Sequence, residues 1–238
     1  MNTIEASRSL TMTGVEGNLV TEYFTPIFCQ RNLMTTSHAV YKGRDKGMKF
    51  ESGLPMPKIL KPTDIILRVL KTTICGTDLQ IISGNVPTCT KNTKIGHEGI
   101  GEIIEVGHGV KKRKVGQRVL VSCMTACGKC TKCEQKFYGH CEDGGWLLGN
   151  TIDGMQGTHA RIPHADFSTY IVPPCVWNTE MLESLVLCSD ILPTGLEIGL
   201  LDERIKSDMT IAFIGIGPVG LSAFVFTCMF HPKAIFCC

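Results

Sequence analysis

Three cysteines with two residues between successive members, Cys127, Cys130 and Cys133, and a fourth after seven more residues, Cys141, restrict what this chain can fold into more than any other feature. Zinc takes four soft ligands in a tetrahedron, and two-residue gaps let successive sulfurs face one ion without backbone strain. Gly128 eases the turn, while Lys129 and Lys132 offset part of the negative charge of four thiolates. Because protein fills all four positions, the expected centre has no open site and is structural, worth on the order of 10 kcal/mol to local folding. Cys123 lies four residues upstream of Cys127 and is not expected to be a ligand. Four ordinary buried thiols in a reduced protein are the blander alternative, and the spacing disfavours it.

The chain holds 13 cysteines in 238 residues, an odd number with no apolar run after a basic start. That pattern argues against a secreted disulfide scaffold and for a reducing, cytoplasmic setting. Residues 1–33 carry Glu5, Glu16 and Glu22 but only Arg8 and Arg31, a poor signal peptide, and read as an extension without fixed structure. The terminal Cys237-Cys238 pair does not meet the prenylation pattern, since Ile235 stands where that pattern needs cysteine. A composition of 43% hydrophobic and 19% charged residues supports a buried core, and a net charge of +2 provides no field to gather nucleic acid or anionic lipid. Neither a nucleic acid nor a membrane is therefore an expected partner.

Residues 64–71 (DIILRVLK), 99–107 (GIGEIIEVG) and 117–121 (QRVLV) read as strands, and many short strands with many glycines suggest a barrel or sandwich. The run Lys111-Lys112-Arg113-Lys114 between two of them is expected to be a solvated hairpin tip. Past Trp177 the texture changes. Residues 182–187 and 192–201 show helical spacing, with Pro193 where a first turn tolerates it. An apolar strand (210–215), a glycine turn (215–220), a helix-length stretch (221–230) and a second apolar strand (234–238) then make the opening of a parallel α/β sheet. Residues 210–230 contain no charge and are long enough for a transmembrane helix, but the Gly-Ile-Gly-Pro break argues against one.

A second constellation lies outside the cysteine knuckle: Cys75-Gly76-Thr77-Asp78 after one strand and Gly96-His97-Glu98-Gly99 before another. Together with S-D-I-L-P-T-G (189–195), G-I-G-P-V-G (215–220) and the four cysteines, in this order, these motifs closely resemble the zinc-dependent medium-chain alcohol dehydrogenase family, over roughly Met34 to Cys238. The resemblance implies an α/β chain of mixed domains: a GroES-like β-barrel catalytic domain over 34–174, then the first part of a Rossmann NAD(P)-binding domain over 175–238. Cys75, His97 and Asp190 become the expected ligands of a catalytic zinc, with Glu98 as an occasional or exchanging ligand and Thr77 as the hydroxyl that passes the alcohol's proton outward. Three protein ligands leave a position for substrate, which separates a catalytic from a structural zinc.

Gly215, Gly217, Pro218, Val219 and Gly220 are expected to bind the dinucleotide: the glycines permit a tight turn, approach to a pyrophosphate, and close helix packing. The acidic or basic residue that would select NAD or NADP falls just beyond Cys238 when aligned with the family. Gln80 stands where the family often has a histidine in its proton relay. The expected activity is hydride transfer between a small alcohol or aldehyde and NAD(P), with two zinc ions and a homo-oligomer as in relatives. Family members continue for a further hundred or so residues, so the chain reads as a C-terminally shortened version. The alternatives are a non-catalytic zinc-binding remnant and a membrane-anchored zinc protein.

Overall fold

The computed structural model describes residues 3–5 and 35–238, so the expected extension over 1–33 lies outside the described residues apart from Thr3–Glu5. The chain divides into two compact units, Met1–Val186 and Leu187–Cys238. In the first, the strands are β1 (Thr3–Glu5), β2 (Thr35–Gly43), β3 (Gly47–Pro55), β4 (Ile65–Thr73), β5 (Gly99–Val106), β6 (Arg118–Val121), β7 (His159–Ile162) and β8 (Thr169–Ile171). Its helices are α1 (Gly76–Ile82), α2 (Thr131–Glu134), α3 (Ala165–Ser168) and α4 (Thr179–Leu185).

β4 organises this unit. One of its edges pairs antiparallel with β5, and the other is shared, Ile65–Arg68 taking β7 and Lys71–Thr73 taking β1. The sheet runs β1-β4-β5-β6-β8, with β7 on β4. Side chains alternate across a strand, so Ile65, Leu67 and Val69 share a face and join Ile103, Val119, Val121, Leu148, Met155 and Ile162 in one buried cluster. Arg68, between two of them, points out and pairs with Glu102 of β5 at 2.7 Å. β2 and β3 form a separate hairpin, and Ala39 and Tyr41 of β2 pack with Ile81 of α1 and with Ile95 in a second cluster.

The strands read from the sequence are present to within two residues at each end. The basic run departs from expectation. Its lysines face solvent, but its backbone is docked, the N–H groups of Lys111 and Lys112 each donating to the Asp166 carboxylate at 2.8 Å, and the Arg113 guanidinium turns inward to donate to the Thr169 hydroxyl and carbonyl. Phe167, between those partners, carries the Lys112 ammonium 5.1 Å from its ring centre.

In the second unit β9 (Thr210–Phe213) and β10 (Ala234–Cys237) pair in parallel, joined through α6 (Pro218–Cys228). Thr210–Phe230 is thus strand, turn and helix. No single helix among the described residues is long and apolar enough to cross a membrane. The helical spacing over 192–201 is realised as α5 (Ile191–Leu196) continuing into a π-helical turn, Glu197–Leu201.

His38 of β2 is 1% exposed, and neither ring nitrogen meets a hydrogen-bond partner among the described residues. Burial first, and then the nearby Lys94 charge, pull its pKa down to about 4. The unfolded chain takes up this proton near pH 6.5 while the folded chain resists it. The stability that depends on a neutral His38 is therefore whole above about 6.5 and is lost as pH falls towards about 4, by at most about 3 kcal/mol. His38→Leu is expected to flatten the fall in urea midpoint between these pH values; an unchanged slope would place the acid sensitivity elsewhere.

Candidate metal centres

The cysteine knuckle assembles from short local elements. Cys127 precedes Gly128, whose φ of +72° reverses the chain. Cys130 is the residue before the first turn of α2, which carries Cys133 round to the same side, and a 3-10 turn over Tyr138–His140 returns Cys141. The four sulfurs all lie within 4.8 Å of one another, and Cys123 is outside the set. The Cys127–Cys133 and Cys130–Cys141 sulfurs are 4.0 and 3.9 Å apart, far beyond a disulfide bond. Backbone N–H groups of Glu142 and Cys133 draw the Cys130 thiol down to about 6, while burial pushes Cys141 up to about 12. Four converging sulfurs, two of them buried, cannot all be thiolates without a cation among them; a soft divalent ion such as zinc fits this donor set.

The second group depends on the β4–β5 register. Thr72 pairs with Gly99, which sets the end of β4 beside the residues that enter β5. Beyond Thr73 the chain turns at Cys75 into α1. Asp78, in the first turn of α1, reaches back to accept the Cys75 N–H at 2.8 Å, the reciprocal half of a capping box. Cys75 Sγ, one ring nitrogen of His97 and one carboxylate oxygen of Glu98 all lie within 4.8 Å of one another, each residue no more than 8% exposed. A sulfur, an imidazole and a carboxylate gathered without solvent suit a borderline-soft divalent metal.

Thr77 Oγ1 is 3.7 Å from the Cys75 sulfur. Around the group, Asp78 Oδ1 lies 3.9 Å from His97 Nδ1, Thr73 donates its hydroxyl to Glu98, and the Trp146 ring meets the His97 ring edge-on at 6.0 Å. Gln80 instead accepts a bond from Asn85 at 2.8 Å on the exposed side of α1. Sequence reasoning missed Thr73, Trp146 and Gln156, whose side-chain amide donates to Asp78 at 2.7 Å, as parts of these surroundings. For Asp78 a signal existed, an acidic residue three positions after the residue that begins a helix.

Asp190 belongs to the second unit, where it precedes α5 and accepts the Thr194 hydroxyl at 2.8 Å. There too, Gly215 ends the β9 turn with φ +86°, Gly217 precedes α6, and Pro218 takes its first position. A Cβ on Gly220 would stand 2.2 Å from the Gly215 carbonyl oxygen, whereas one on Gly215 or Gly217 would meet nothing within 4 Å. The turn is thus closed on its helix side and open outward, a cradle of backbone at a helix N-terminus that fits a pyrophosphate.

A family model described as the alcohol dehydrogenase GroES-like domain matches residues 61–173. The chain is 38% identical over 185 residues to zinc-type alcohol dehydrogenase B of Aspergillus flavus, covering 75% of this chain and 42% of that one. It is 33% identical over 191 residues to a glutathione-independent formaldehyde dehydrogenase of Pseudomonas aeruginosa, covering 71% and 46%. Among solved structures, zinc-dependent alcohol dehydrogenase 2 from Streptococcus pneumonia in its apo form superposes with a TM-score of 0.76 at 44% identity, over 85% of this chain and 55% of that one. The chain spans about half the length of the relatives it matches.

The knuckle turn offers a direct test. A methyl group on Gly128 would stand 2.1 Å from the Phe167 ring, at a φ that L-residues resist. Gly128→Ala is expected to destabilise the first unit by about 1 to 3 kcal/mol in urea unfolding; a neutral result would mean that the ring and the turn both adjust freely.

Proposed function

We propose that this chain, which belongs to the zinc-dependent medium-chain alcohol dehydrogenase family, works as an oxidoreductase that moves hydride between a small alcohol or aldehyde and NAD(P), with one closed and one open zinc centre. The observation that carries the reading is the convergence of Cys75, His97 and Glu98 from two separated stretches into one buried donor group. The family pattern adds Asp190 as the third constant ligand, leaving Glu98 to exchange. Cys127, Cys130, Cys133 and Cys141 take the structural ion. Gly215, Gly217, Pro218, Val219 and Gly220 take the dinucleotide phosphates.

Bound at the open centre, zinc supplies the Lewis acidity that makes an alcohol hydroxyl far more acidic, and the nicotinamide supplies the hydride acceptor. The chain's own groups do the rest. Thr77, beside the Cys75 sulfur, receives the hydroxyl proton and hands it outward. Gln80 has no titratable group and is bonded to Asn85, so it takes no proton from Thr77. Asp78 holds the Cys75 backbone and faces the His97 ring, so both ligands keep their direction when substrate enters. The closed knuckle braces its lobe and takes no part in the chemistry.

Elemental analysis of the folded chain is expected to find two zinc ions per molecule. His97→Ala should lose one of them and all turnover, and Cys130→Ala should lose the other. Titration should change NAD(P)H fluorescence. At most one ion per molecule, or undiminished turnover in His97→Ala, would overturn the reading; metal binding without any response to NAD(P)H would leave a zinc-binding protein that is not a dehydrogenase.

A further inference from the structure

Gln156 stands 78 residues from Asp78, just ahead of β7, yet its side-chain amide enters the surroundings of Cys75 and His97. Its Nε2 donates twice, to Asp78 Oδ2 at 2.7 Å and to the Thr73 backbone carbonyl at 3.1 Å. Both partners bear on proposed ligands. Asp78 Oδ2 also receives the Cys75 N–H, and its other oxygen lies 3.9 Å from His97 Nδ1. Thr73 gives its hydroxyl to Glu98. One amide thus links the end of β4 to the first turn of α1, and through them touches the supports of all three groups.

The amide has little freedom to be elsewhere. The Gln156 backbone donates to Ile95 and accepts from Ala39, at 2.9 and 2.8 Å. It also lies against Gly96, the residue before His97, so closely that a Cβ there would be 2.6 Å from Gln156 N and 2.7 Å from Gln156 Cγ. Gln156 is 6% exposed and Asp78 1% exposed, so water cannot readily replace the bonds. Only a side chain with two N–H donors serves both acceptors. A carboxylate would face the Asp78 carboxylate and the Thr73 carbonyl, and an aliphatic chain would remove a donor from each, at the full cost of buried polar groups.

We infer that Gln156 is a positioning residue for the open metal centre, setting its metal affinity by fixing Asp78, which in turn aims Cys75 and His97. The inference rests on the reading of Cys75, His97 and Glu98 as metal ligands. Groups one bond beyond a metal ligand commonly change metal affinity by about 10- to 100-fold when altered, and the double role of this amide puts Gln156 among them.

Cobalt(II) titration of the metal-free full chain against a competing chelator, followed by visible absorption, tests it, because an all-sulfur centre and a mixed sulfur–nitrogen centre absorb differently. In Gln156→Leu and Gln156→Glu the mixed centre is expected to bind cobalt about 10- to 100-fold more weakly and with a shifted band, while the four-cysteine centre keeps its affinity. The cysteine centre is the internal control. Equal loss at both centres would assign Gln156 to general folding and overturn the inference, as would a mixed centre of unchanged affinity and band. If Gln156→Leu fails to fold, Gln156→Glu, nearly the same in shape, carries the comparison. An unaltered chain with no mixed centre at all would instead defeat the metal reading beneath it.

Discussion

The antiparallel register of β4 against β5 is the interaction on which the rest depends. Thr72 opposite Gly99 leaves the chain leaving β4 and the chain entering β5 side by side, so Cys75 and His97 converge although 22 positions separate them. A slip of one residue would turn His97 and Glu98 to the other side and Ile65, Leu67 and Val69 out of their cluster. The hydrophobic core and the proposed metal site are therefore specified together. What keeps the core in register also keeps the proposed ligands in range.

Both edges of β4 are engaged, one by β5 and the other by β7 and β1 in succession. The strand that delivers Cys75 consequently has no free edge along most of its length, and its end is tied again by the Gln156 amide. Rigidity of this kind suits the proposed open centre, whose ligands would have to hold still while one position exchanges. The cysteine knuckle solves a different problem. Its sulfurs come from 15 consecutive residues, 127–141, and need no register from elsewhere to meet.

That difference explains what could be read from the residues alone. The knuckle, the glycine turn at Gly215–Gly220 and the apolar strands are local patterns, each decided within at most 15 consecutive positions, and each could be assigned before any fold was known. Cys75 and His97 could be paired only by resemblance, because nothing in their spacing states which strands are neighbours. Gln156, Thr73 and Trp146 escaped notice for the same reason: a glutamine 78 residues from its partner carries no periodicity or motif. Burial of His38 follows from β2 packing rather than from its own apolar neighbours. The basic run was read by its charge, whereas its backbone N–H groups, which charge patterns do not describe, decide where it sits.

Helix α3 is only four residues long, but it fastens two loops that are remote in sequence. Asp166 holds the backbone of Lys111 and Lys112, while the ring of Phe167 lies between the Lys112 ammonium and Gly128 of the knuckle. A shift of the Gly128 turn therefore presses on the same ring that the Lys112 ammonium covers, which joins the cysteine lobe mechanically to the loop between β5 and β6.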